Sequence, residues 1–148
     1  MNDNTQKYWN KFWIGKEQPQ CVNAWQFGSD PDGLAKLVIE GKKTATTSCY
    51  ILYELENEPL PVAGLYSIVL NSNDEPAAII KIVDVQVMPM NEVPVEYATA
   101  EGEGDLSYDY WWNVHKSFFD NELAAIGEKF SDDMLVVCER FELVDVNK

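Results

Sequence analysis

Two β-rich runs separated by a short polar turn constrain this chain most. Gly64 to Leu70 and Ala77 to Val87 are dominated by β-branched and aliphatic residues, and Asn71-Ser-Asn-Asp74 joins them. Turn-forming residues between two such runs predict an antiparallel hairpin. Thr44 to Ser48 reads as a third strand and Met134 to Val144 as a last one. Tyr50 to Glu56 is ambiguous, and Pro59-Leu-Pro61 marks a turn region.

Helical patterns lie between these strands. Tyr8, Trp9, Phe12 and Trp13 recur at three- and four-residue intervals, which predicts a short N-terminal helix docked by its aromatic face. After a loop containing Trp25-Gln-Phe27-Gly28, Ser29 or Asp30 can cap a helix opening at Pro31. Leu34, Leu37 and Val38 would point inward and Gly41 would stop it, leaving Lys42 and Lys43 at its exit. Val93 to Ala100 suits a short helix. Ser107 to Phe130 is the longest helical pattern, gathering Tyr108, Trp111, Trp112, His115, Phe118, Phe119, Leu123 and Ile126 on one broad face.

No repeat or linker divides the 148 residues, and 46% hydrophobic content is enough for one domain with a real core. No run approaches the roughly 18 apolar residues of a membrane span, and the N-terminus lacks signal-peptide order. Cys21, Cys49 and Cys138 are odd in number and far apart, which fits a reducing cytoplasm better than a disulfide framework or a zinc knuckle. A net charge of −14 argues against a broad nucleic-acid surface, because such affinity comes from cations that neutralise phosphates. Any RNA contact must therefore be local.

Glu101-Gly-Glu-Gly-Asp105 places three carboxylates at every second position. If the segment is extended, all three project to one side. Like charges that close raise the proton affinity of at least one, unless a cation sits among them. A calcium loop of the EF-hand kind fails on spacing: the sixth position is Leu106 instead of Gly, and the twelfth is Trp112 instead of Glu. Lys42 and Lys43 are the only adjacent basic pair, and on so acidic a chain they can orient a polar ligand. A lone histidine on an apolar face is more often a hydrogen-bonded core residue than a catalyst. The helix nevertheless starts directly after Asp105, so Ser107 and Tyr108 stand beside the carboxylates, and Trp111 and His115 further along can line the same cavity.

Trp25-Gln-Phe27-Gly28, Gly41-Lys42-Lys43-Thr44-Ala45-Thr46, Leu60-Pro61-x-x-Gly64-x-Tyr66, the acidic segment and Tyr110-Trp111-x-x-x-His115-x-x-Phe118-Phe119 occur in the order that resembles an ASCH-domain protein. The resemblance covers most of residues 21–145, leaving 1–20 as a helical extension of a single domain. It implies an α+β fold: a small mixed or antiparallel PUA-like β-barrel with peripheral helices. It also implies RNA-linked chemistry, since one branch of the family hydrolyses the amide of N4-acetylcytidine, some members resemble RNA-binding modules, and another has ribonuclease activity. In the amidohydrolase branch a Lys and a Thr of the glycine-lysine-threonine motif and a downstream Glu act together, and these fall on Lys43, Thr46 and Glu101. That branch lacks the acidic segment and the long aromatic helix, so this chain resembles a larger bacterial subgroup. Relatives of that subgroup carry Arg where Trp112 stands.

The leading expectation is hydrolysis of an acylated amine on a small nucleoside-like ligand, with Thr46 as nucleophile, Lys43 as its base and Glu101 as proton donor to the departing amine. Trp25, Lys42, Thr44, Glu103, Asp105, Tyr108, Trp111 and His115 would bind the substrate, with no cofactor or metal. In a continuous strand Lys43 and Thr46 face opposite ways, so the chain must turn between them. Two rivals remain. One is a non-catalytic module that holds a modified nucleotide or short single-stranded RNA with Lys42, Lys43 and Trp25 or Trp111. The other is metal-dependent RNA cleavage through Glu101, Glu103 and Asp105. Exposed aromatics are the surface through which a homodimer would form.

Overall fold

The computed structural model describes residues 1–148. Its centre is the expected hairpin: β3 (Tyr66–Leu70) and β4 (Pro76–Pro89) pair antiparallel, with Ile68 opposite Ile79. Asn71 closes the turn by accepting hydrogen bonds at its side-chain oxygen from the backbone N–H groups of Asn73 and Glu75. β5 (Leu135–Val146) runs antiparallel along the other side of β4, and β2 (Ala45–Cys49) pairs antiparallel with β5.

The far edge holds a strand that the sequence reading left as loop. β1 (Asn23–Gln26) adds parallel to β3, bringing Trp25 opposite Val69. Four residues with one large aromatic carry little β-signal of their own, and the exposed edge of β3 supplies the pairing. The order is β1-β3-β4-β5-β2, a mixed five-stranded sheet. Register shifts at Ile79/Ile80 and Ile82/Asp84 bend β4 and curl the sheet into a half-barrel whose edges are β1 and β2.

Alternation along β3 and β4 covers both faces. Ile68, Leu70 and Ile79 meet Tyr8 and Trp9 of α1 (Asp3–Phe12), the N-terminal helix. Val69 and Ile80 meet Ala35 and Val38 of α2 (Pro31–Ile39), with Phe27 and Phe141. Asp30 caps α2 by accepting from the Gly33 N–H, as its position before Pro31 predicts. The ambiguous segment is a short helix, α3 (Tyr50–Leu55).

A third cluster lies under α4 (Val95–Ala100) and α5 (Tyr108–Ala125), where Tyr97, Ala98, Trp111 and Phe119 pack on Ala45, Cys49 and Cys138. Ser107 caps α5 by accepting from the Tyr110 N–H. Trp111, His115, Phe119 and Leu123 are its buried stripe, whereas Ile126 falls beyond the last turn and is exposed. No helix is long and apolar enough to cross a membrane.

Candidate functional site

Backbone contacts bring the acidic segment onto the entry to β2. The Ala100 carbonyl accepts the Thr44 N–H at 2.7 Å and the Thr44 hydroxyl at 3.3 Å. The segment is not extended: Gly102 (φ 71°), Gly104 (φ 59°) and Leu106 (φ 67°) turn left-handed one after another. The carboxylates therefore diverge instead of sharing a side. Glu101 points inward and is 1% exposed, Glu103 lies partly buried at the rim, and Asp105 stays at the surface, accepting the Ser107 N–H at 2.9 Å. A Cβ at Gly102 would run into the Lys42 carbonyl, so glycine is what permits the close approach.

Lys43 is the cation among them. Its ammonium donates to the Ala45 carbonyl at 2.9 Å, to Glu101 Oε1 at 3.1 Å and to Glu103 Oε2 at 3.0 Å, with a longer contact of 3.5 Å to the Glu101 carbonyl. The Phe27 ring lies 5.3 Å from it. Only 2% of Lys43 is exposed, whereas Lys42 is a surface residue 3.8 Å from Glu40.

Glu101 collects donors from three elements. Beyond Lys43, its Oε2 accepts the Thr47 hydroxyl at 2.8 Å and the Trp111 indole N–H at 2.5 Å, and His115 Nε2 lies 3.3 and 3.2 Å from its two oxygens. Burial alone would raise its pKa, but Lys43, His115 and Trp111 outweigh burial and bring it down to about 2. His115 Nδ1 lies 2.7 Å from the Trp111 carbonyl, which can only accept. Both ring nitrogens thus face acceptors, so the ring carries both protons and a positive charge. Burial opposes that charge, and Glu101 prevails, shifting the histidine pKa upward.

Of the three expected catalytic residues, Lys43 and Glu101 meet and Thr46 does not join them. β2 alternates, so Ala45, Thr47 and Cys49 face the cluster while Thr46 and Ser48 face the other way. Thr46 forms no side-chain hydrogen bond to Lys43 or Glu101; its strand partner is Glu139, a buried acid whose pKa burial raises to about 7. Thr47 is the hydroxyl that the sequence reading missed. The available signal was its alternation with Ala45 and Cys49, two small residues suited to a packed face.

The expected binding residues disperse as well. Trp111 is buried, Tyr108 packs against it with ring centroids 5.4 Å apart, and Trp25 sets its edge on Phe27 at 4.8 Å. Lys42, Thr44 and Asp105 are exposed. Ligand atoms of Glu101, Glu103 and His115 lie within 4.8 Å of one another, a donor set with a metal's chemistry, but the Lys43 ammonium already bridges the two carboxylates. A separate cavity of about 370 Å³ opens beside α5, lined by Ser29, Asn113, Val114, Ser117, Phe118 and Asn121.

No protein of curated function matches the chain. Among solved structures, a protein from Enterococcus faecalis is 40% identical with a TM-score of 0.87, over 99% of this chain and 91% of that one. An ASCH domain from Lactobacillus crispatus is 29% identical with a TM-score of 0.92, covering 98% of this chain and 96% of that one. An ASCH protein from Zymomonas mobilis shares the fold at a TM-score of 0.52 and 12% identity, over 85% of this chain and 71% of that one. The family model for the ASCH domain spans residues 23–145, and the chain belongs to that family.

Proposed function

We propose that this chain hydrolyses an acyl group from the amine of a small nucleoside-like ligand at the Lys43–Glu101 cluster. The observation that carries the reading is the buried contact between Lys43 and Glu101, two residues far apart in sequence that the family's amidohydrolase branch uses together. The roles differ from those expected of the sequence. Lys43, with its ammonium between two carboxylates, serves as a positive charge facing the oxyanion that forms on the acyl carbon. Glu101 accepts a hydrogen bond from the Thr47 hydroxyl, and the low pKa keeps it ionised, so it relays that proton as the hydroxyl oxygen attacks. Charged His115 supplies a proton to the departing amine, which leaves the acyl group on Thr47; water then releases it, giving one proton back to His115 while Glu101 returns to Thr47 the proton it took. Thr46, on the opposite face, has no such partners.

Release of cytidine from N4-acetylcytidine, followed by chromatography, tests this in the wild type, Lys43→Ala, Thr46→Ala and Thr47→Ala. The expected outcome is turnover that is lost in the Lys43 and Thr47 variants and kept in Thr46→Ala. Loss in Thr46→Ala alone would return the nucleophile to the residue that the motif points to, and a folded wild type without turnover would remove this substrate. A non-catalytic module for single-stranded RNA has weaker support, because Trp111 faces inward and the exposed Lys42 lies 3.8 Å from Glu40.

A further inference from the structure

The two carboxylates on Lys43 are held in unlike ways. Glu101 is 1% exposed and has donors from Lys43, Thr47, Trp111 and His115. The Glu103 carboxylate makes one hydrogen bond, to Lys43, and its side chain is 16% exposed. It stands on a turn between two left-handed glycines, Gly102 and Gly104. Replacing Glu101 would strand two buried cations and two further donors, whereas replacing Glu103 would free one ammonium proton.

Charge decides what can take its place. Lys43 and His115 are positive and Glu101 is negative, so the cluster without Glu103 carries one uncompensated positive charge in a nearly closed site. A buried charge is costly unless it is paired. The group that best replaces Glu103 therefore bears an anionic oxygen, and a neutral nucleoside has none.

We propose that Glu103 is an internal stand-in for the anionic group of the ligand, and that the site accepts a nucleotide or another small acid by exchanging that group for the Glu103 carboxylate on Lys43. This rests on reading the cluster as the ligand site, but it concerns binding and not turnover: an anion on Lys43 takes the place of the acyl oxyanion, so a nucleotide held this way competes with the hydrolytic substrate. An internal competitor lowers apparent affinity by the fraction of time it leaves the site free. Removing its charge raises the affinity for anions and leaves that for neutral ligands alone.

Calorimetric titration with cytidine 5′-monophosphate, cytidine, inorganic phosphate and acetate tests this on the wild type and Glu103→Gln. The indole N–H resonance of Trp111 reports whether the ligand reaches the cluster. Expected is a gain of about tenfold or more for the monophosphate in Glu103→Gln, with phosphate or acetate gaining in parallel, cytidine unchanged and the Trp111 resonance moving. Phosphate against acetate then identifies which anion the site prefers. No gain for any anion in a folded Glu103→Gln protein, or a gain with an unmoved Trp111 resonance, would overturn the proposal. Assaying N4-acetylcytidine and its 5′-monophosphate alongside separates the two readings. Tighter anion binding without turnover keeps the anion site and removes the hydrolase. Turnover with anion affinities that ignore Glu103 removes the anion site and keeps the hydrolase.

Discussion

His115 is clamped to Trp111 across one turn of α5: its Nδ1–H donates to the Trp111 carbonyl at 2.7 Å, and the two rings stack with centroids 4.7 Å apart. Both residues thereby present an N–H to one carboxylate, Glu101. A tertiary contact of this kind has consequences for stability that can be separated from any role in chemistry.

Glu101→Ala should be among the most damaging substitutions in the chain. It leaves Lys43 and His115 buried without their shared anion, at a cost of about 3 to 5 kcal/mol. Urea unfolding measures the loss. His115→Phe in the Glu101→Leu background should recover part of it, because Lys43 keeps Glu103 as its partner and the double variant leaves no buried cation unpaired.

The two threonines should behave oppositely to their order in the motif. Thr47→Val leaves Glu101 one donor short and should cost about 1 to 2 kcal/mol. Thr46→Val removes no side-chain hydrogen bond and should change the unfolding midpoint little. Equal losses in the two variants would contradict the assignment of faces along β2.

Stability should depend on pH through His115 and Glu101 in opposite senses. The His115 pKa is raised from 6.5 on folding, so its contribution is full below that value and is lost as pH rises through the folded pKa. The Glu101 pKa is lowered from 4.5 to about 2, so its contribution is present above 4.5 and is lost as pH falls toward 2. Thermal midpoints of His115→Gln, compared with wild type from acid to alkaline pH, should converge on the alkaline side and separate below it.

Glu139 runs against the usual behaviour of a carboxylate. Burial raises its pKa from 4.5 to about 7, so the fold loses stability as pH rises between those values. Glu139→Gln should therefore stabilise the protein by about 1 to 3 kcal/mol at pH 8 and by little at pH 4. A destabilised variant at pH 8 would show that the ionised group has a partner.

Gly102→Ala should cost more than Gly41→Ala, although both glycines have φ in the seventies. The space around Gly41 is open, so its variant bears only left-handed strain of about 1 kcal/mol. At Gly102 the new methyl also meets the Lys42 backbone, so the loss should exceed about 2 kcal/mol and displace Glu103 from Lys43.

Local pattern made much of the architecture legible. The hairpin, the capped helix at Pro31 and the long helix beginning near Ser107 were readable because each depends on neighbours within a few residues. β1 escaped because its pairing comes from β3, more than 40 residues away, and the carboxylates do not share a side because the extended backbone this requires is turned by three left-handed residues.

The sequence by itself determined that α5 would present Trp111 and His115 on a single face, since helical spacing is a local property, and its resemblance to the family set Lys43 and Glu101 in one group of motifs. Only the tertiary structure decided that Thr47 rather than Thr46 reaches Glu101, that Asp105 stays outside, and that Lys43 is shared between two acids of unequal hold. Those outcomes depend on where α4 lands on the entry to β2, a contact spanning 58 residues of chain, and hence on packing and on the cost of burying a charge alone.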